Sequence, residues 1–174
     1  LGLKRPLYAG NSWGGCIGTI MGAEHPGDIS RAVLGDPVYW KMANAFVTRL
    51  PGSLARRNMS DEELTADLKR QGMGDEQVQF EMGRARLFSP HALTRLLTDN
   101  RDFAFACEEY LKRIQVPTLV IAGDDSAGGY ILPEEVEYLK GIAAPAVRFT
   151  QWEGIGHGVS NQAPERYVKE MLEF

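Results

Sequence analysis

Three short apolar runs and one alternating run, spaced by stretches of helical periodicity, constrain this 174-residue chain more than any other feature. They are Pro6-Leu7-Tyr8-Ala9, Arg31-Ala32-Val33-Leu34, Val116 to Gly123 and Ala146 to Gln151. Each is strand-sized; the apolar runs, with Pro or Gly beside them, suit buried strands, whereas Ala146 to Gln151 alternates. Between the first two, Cys16, Ile17, Ile20, Met21 and Ala23 recur at helical spacing until Pro26-Gly27 stops the pattern. Pro133-Glu134-Glu135 opens another helix through about Leu139, and a last one runs from about Pro164 to the end. Strands that alternate with helices predict an α/β fold with a mostly parallel sheet. In such a sheet the strands' C-terminal ends share one edge, where a site forms.

The segment 39–114 departs from that rhythm. Helical patterns dominate it, with breaks expected at Pro51-Gly52, Gly72-Met73-Gly74 and Ser89-Pro90. Ser60-Asp61-Glu62-Glu63 has the form of a capping box and predicts a helix through about Gln71. Ser89, as N-cap before Pro90, predicts a further one. The organisation expected is a core of 1–38 and 115–174 interrupted by a helical cap, 39–114. No internal repeat is visible.

The chemistry concentrates at the sheet edge. Gly10-Asn11-Ser12-Trp13-Gly14 is a G-x-S-x-G between a predicted strand and a glycine-rich helix. Small residues two positions either side permit a turn sharp enough to lift the Ser12 hydroxyl into a pocket. A serine there also lies at a helix N-terminus, where amides favour developing negative charge, and the Trp13 N–H is the expected oxyanion donor. The bland alternative is a glycine turn capped by Ser12. Gly154-Ile155-Gly156-His157-Gly158 follows the last strand and places an imidazole at the same edge. His157 is the expected general base, its plain alternative being a surface-loop histidine. His25, at the end of a helix, and His91, in the helical segment, are weaker candidates. The acid that would orient His157 is ambiguous. Asp124 is favoured, following the strongest strand, with Asp125 and Asp36 as alternatives at strand ends of the same kind.

Composition narrows the partners. A net charge of -4, with Lys and Arg clustered only in pairs such as Lys4-Arg5, Arg56-Arg57 and Lys69-Arg70, disfavours nucleic acid. No apolar run reaches the length of a membrane span. Cys16 and Cys107, both in apolar contexts, read as buried free thiols in a reducing compartment, so a cytoplasmic location is expected. Their spacing to histidine offers no zinc site, and the chemistry needs no cofactor.

The segments Tyr8 to Gly15, Leu34-Gly35-Asp36-Pro37, Pro117 to Asp125 and Gly156-His157-Gly158 resemble the α/β-hydrolase superfamily. Within it, the chain is similar to the capped esterase, lipase and carbon–carbon bond hydrolase branch. The resemblance implies strands equivalent to the fifth to eighth of that fold, a cap inserted after the sixth, an acid after the seventh and a histidine after the eighth. It implies hydrolysis of a carboxylic ester or related acyl compound through an acyl-enzyme. A carbon–carbon bond hydrolase is the alternative; it would want a basic residue such as Arg49, Arg84, Arg86 or Arg95 for a substrate carboxylate. A non-catalytic binding protein of the same shape is the other. Two departures stand out. Ser126 occupies the position where the commoner loop carries its acid, and nothing here matches the first four strands or the His-Gly loop that supplies a second oxyanion donor. The first strand's unpaired edge would be an aggregation hazard, so the expectation is a fragment of a longer product whose N-terminal half is its partner.

Overall fold

The computed structural model describes residues 2–39, 51–87, 89, 91 and 103–174, with 103–106 given by backbone alone. Among these described residues the strands are β1 (Leu7–Asn11), β2 (Arg31–Gly35), β3 (Thr118–Ala122) and β4 (Val147–Gln151). They lie in the order β1-β2-β3-β4, every pair parallel. The registers Ala9↔Val33, Val33↔Leu119 and Leu119↔Arg148 keep the strands level, so their C-terminal ends come out along one edge.

Both faces of the two central strands are covered, and the alternation of side chains shows how; β1, expected to be buried on both faces, has no buried residue because it lies at the sheet's edge. Ala32, Leu34, Val120 and Ala122 join one cluster with Cys16, Cys107, Leu111, Val136 and Leu139. Those partners come from α1 (Trp13–Glu24), α4 (Phe103–Leu111) and α5 (Pro133–Ile142). Val33, Leu119 and Ile121 point the other way, into a cluster with Trp152, Val159 and Tyr167. That face is closed by α6 (Val159–Gln162) and α7 (Pro164–Glu173). All five residues of β3 are buried, which is why its sequence is continuously apolar instead of alternating. Parallel strands in sequential order, joined by crossovers of one hand, must place the connecting helices on one face. Helices α1, α4 and α5 are on one face as required.

Elements begin and end close to the sequence expectation, with informative differences. Helix α1 starts at Trp13 instead of Cys16, taking Gly14 and Gly15 into its first turn. Tertiary packing outweighs the poor helix propensity of those glycines: a Cβ on Gly15 would sit 2.8 Å from Pro37 Cβ. The short helix α6 and a 3-10 turn at Asp125–Ala127 have no periodic signal.

The chain divides into two compact units, Leu1–Ala43 with Phe103–Phe174, and Asn44–Asp102. Helix α4 groups with the sheet, because Cys107 and Leu111 are fully buried in its core. In the second unit, α2 (Asp61–Arg70) and α3 (Asp75–Leu87) pack around Leu64, Leu68 and Val78. The capping box forms as expected: the Ser60 hydroxyl accepts from the Glu63 amide, and the Ser60 amide donates to the Glu63 carboxylate. The break at Gly72-Met73-Gly74 also appears, with Gly72 at φ +83°. Residues 51–58 are helical, and the residues before Pro51, on which the break expected at Pro51-Gly52 depends, lie outside the described residues. Pro90, Arg49 and Arg95 lie outside the described residues. Cys16 and Cys107 are buried free thiols. Among the described residues, no helix is long and apolar enough to cross a membrane.

Candidate functional site

Every strand delivers something to the C-terminal edge. β1 runs straight into Ser12, whose amide extends the ladder by donating to Gly35 O at 2.8 Å. Ser12 has φ 57° and ψ -120°, a left-handed backbone that non-glycine residues rarely adopt. Such strain persists only where the surroundings enforce it. Here β1 must reverse into α1 within one residue. A Cβ on Gly10 would lie 2.5 Å from Gly14 O, so the turn closes only with glycine there. The Tyr8 hydroxyl donates to the same Gly14 carbonyl at 2.7 Å. Burial, with Cys16 nearby, pushes that phenol above its ordinary range and keeps it a donor.

β2 is followed directly by another left-handed residue, Asp36, at φ 39°. Its amide donates to Ile121 O at 2.7 Å, and its side chain is fully buried. Burying a carboxylate is costly unless it is hydrogen-bonded, and this one is surrounded by donors. Oδ1 accepts from the amides of Gly123 (3.0 Å) and Ile131 (3.4 Å), and Oδ2 accepts from the amide of Tyr130 (2.8 Å).

The loop after β4 carries His157. Its Nδ1 lies 2.7 Å from Asp36 Oδ2, and the side chain is 26% exposed against 0% for Asp36. The ring is held on its face by Tyr130, with centroids 3.7 Å apart and planes 19° from parallel. Asn11, the residue before Ser12, donates through Nδ2 to the His157 carbonyl at 3.2 Å. This bond ties the histidine loop to the end of β1. The loop is glycine-rich for a steric reason, since a Cβ on Gly156 would fall 2.1 Å from Ala127 O.

The favoured partner of His157, Asp124, is elsewhere. Its Oδ1 accepts from the Ser126 amide (2.9 Å) and hydroxyl (2.7 Å), and Oδ2 from the Gly154 amide (2.7 Å). The Gly154 bond, then those from Ser126, hold this carboxyl below the usual carboxylate range. Asp124 is thus a brace between the loops after β3 and β4. Asp125 is exposed in the 3-10 turn. The residue brought to the imidazole is the alternative, Asp36. A carboxylate at the same edge one strand away reaches His157, while Asp124 is spent on local amides.

Trp13 opens α1 directly after Ser12. His25 caps the far end of α1 and faces Asp28 at 4.0 Å, and His91 is an exposed helical residue of the other unit. The described arginines considered for a substrate carboxylate are already engaged. Arg84 pairs with Glu81 at 2.8 Å, and Arg86 binds Asp61 at 2.7 Å and the Arg57 and Met59 carbonyls. Tyr130 and Asn11 are contacts that sequence reasoning missed. Tyr130 carries no signal beyond following Gly128-Gly129, whereas Asn11 stood inside the pentapeptide.

No protein-family model and no curated protein matches the sequence. Solved structures do match by shape. An alpha/beta hydrolase enzyme from a Medee basin deep-sea metagenome library has a TM-score of 0.71 at 17% identity, over 99% of this chain and 65% of that one. An N-acyl homoserine lactone degrading enzyme matches at TM-score 0.62 and 19% identity, over 98% of this chain and 68% of its own. A meta-cleavage product hydrolase from Pseudomonas fluorescens matches at 0.66 and 14%, over 98% and 64%. The chain therefore spans about two thirds of the length of the structures it resembles.

Proposed function

We propose that this chain, whose fold is part of the α/β-hydrolase fold, carries the nucleophile, base and acid of a serine hydrolase acting on a carboxylic ester or related acyl compound. The observation that carries the reading is the 2.7 Å contact between His157 and buried Asp36, on the edge where Ser12 sits on its strained turn. An ionised Asp36 only accepts, so it fixes the proton on Nδ1 and leaves Nε2 with a lone pair.

In this mechanism His157 Nε2 takes the Ser12 proton as Oγ attacks the acyl carbonyl. The resulting oxyanion is met by the Trp13 amide at the start of α1. Imidazolium, stabilised by Asp36, then protonates the leaving group, and the acyl group stays on Ser12. Water attacks the acyl-enzyme, gives its proton to His157 and releases the acid; the proton on His157 returns to Ser12. The neighbours' names extend to both a lactone-degrading enzyme and a meta-cleavage product hydrolase, so ester and carbon–carbon bond cleavage are the two substrate classes to compare.

A fluorophosphonate probe tests the reading on the intact gene product. Labelling should map to Ser12 and vanish in Ser12→Ala. Absence of labelling, or equal labelling of Ser12→Ala, sinks the serine mechanism and leaves a binding protein. A panel of aryl esters and dienone acids then separates the substrate classes.

A further inference from the structure

We infer that Tyr130 is a positioning residue for His157, holding the imidazole by its face and, with its own amide, the carboxylate that orients the same imidazole. The inference rests on the serine-hydrolase reading above. Its basis is a convergence of two contacts on one residue. The Tyr130 ring stacks on His157 at 3.7 Å and 19°. The Tyr130 amide donates to Asp36 Oδ2 at 2.8 Å, the same oxygen that meets His157 Nδ1. Ring and acid cannot shift independently while Tyr130 is in place.

Tyr130 is itself firmly held. The next residue, Ile131, is fully buried and donates its amide to Asp36 Oδ1. The preceding Gly129 donates to Asp124 O at 2.7 Å, and a Cβ there would lie 2.6 Å from the Gly123 carbonyl carbon. The loop therefore presents the phenol ring from a fixed backbone, with little freedom to swing away.

The stack has a chemical consequence. An aromatic face carries the negative end of the ring quadrupole and attracts a cation lying over it. His157 is neutral before Ser12 attacks and cationic once it holds the serine proton. Tyr130 thus attracts the imidazole more strongly in the transition state than in the resting enzyme, and only such differential contacts raise kcat. Tyr130 itself neither gains nor loses a proton. The transfer stays between Ser12 Oγ and His157 Nε2.

The test replaces Tyr130 in the intact gene product with phenylalanine and with phenylalanines of increasing fluorination. These keep the ring's shape while emptying its face of negative charge. Acylation by a p-nitrophenyl ester is followed by stopped flow. We expect kcat to fall in step with fluorination, roughly 3- to 10-fold from phenylalanine to the pentafluoro ring, with KM nearly constant. A flat series, or one in which KM moves and kcat does not, overturns the inference while fluorophosphonate labelling of Ser12 still upholds the serine mechanism. A readout free of turnover covers the opposite case. The Tyr130 ring current should displace the His157 ring protons upfield in the NMR spectrum, and Tyr130→Leu should remove that displacement. Unchanged resonances overturn the stack whether or not Ser12 reacts.

Discussion

At the scale of single residues, two aspartates at strand ends do different work, and substitution should separate them. Asp36 is buried, accepts three amides and meets His157, whereas Asp124 is accessible and braces Ser126 and Gly154. Asp36→Asn should lower kcat toward an ester by roughly 10³–10⁴-fold, through loss of the productive tautomer. Asp124→Asn should leave kcat close to wild type and act on stability instead. Because the folded Asp124 carboxyl is held below its ordinary range, its contribution is present at neutral pH and is lost as pH falls through the depressed folded value. The melting temperatures of wild type and Asp124→Asn should therefore differ at pH 7 and converge in strong acid. A gap that widens toward acid would contradict the brace. Ser12 and His157 stood out in the sequence as candidates because each sits in a local pattern that sterics demands. The aspartate that meets His157 did not, because Asp36 and Asp124 follow strands in the same way. What decides between them is a contact 121 positions along the chain, and local sequence carries no record of it. Tyr130 was invisible for the same reason.

At the scale of elements, the seam between α1 and the sheet is where packing, not propensity, wrote the sequence. Gly18 faces both β1 and β2, and a Cβ there would lie 2.5 Å from Leu34 Cδ2 and 2.5 Å from Tyr8 Cε1. Gly18→Ala should therefore overpack the seam, at about 1–3 kcal/mol, and lower the melting temperature by roughly 2–12 °C for a chain of this size. Gly83 is the contrast. It lies inside α3 with nothing within 4 Å of its added Cβ, so Gly83→Ala should gain helix propensity and leave the melting temperature unchanged or higher. Thermal denaturation of the pair followed by circular dichroism checks both directions at once. A Gly18→Ala protein as stable as wild type would mean that the helix can retreat from the sheet. β2 and β3 were readable as short apolar runs, and several helices from the spacing of their apolar residues. The turn at residues 72–74 was readable from its glycines. The loops after β3 and β4, which build the site, interlock through Gly156 and Ala127. Their shape depends on each other more than on either sequence.

At the scale of the whole molecule, the described residues of the two units differ in how much apolar surface they close over. The sheet unit has a core on each face, from Cys16 through Leu139 on one side and Val33 through Tyr167 on the other. In the second unit, Leu64, Leu68 and Val78 are the buried centre among the described residues, with Met59, Met73, Met82 and Ala85 partly buried around them. Much of its polar cohesion is exposed ion pairs, such as Arg70 with Asp67 and Arg84 with Glu81, each contributing about 0–1 kcal/mol. Local opening follows the density of buried contacts. Hydrogen exchange on the intact gene product should therefore find the amides of α2 and α3 opening well before those of β2 and β3. Leu64→Ala removes a fully packed side chain shared by both helices and costs about 2–5 kcal/mol. It should speed exchange in α2 and α3 together, since each contributes to the same small centre. Equal protection of α2 and β3 in the wild type, or a Leu64→Ala effect limited to α2, would mean that something other than this cluster holds the helical unit together.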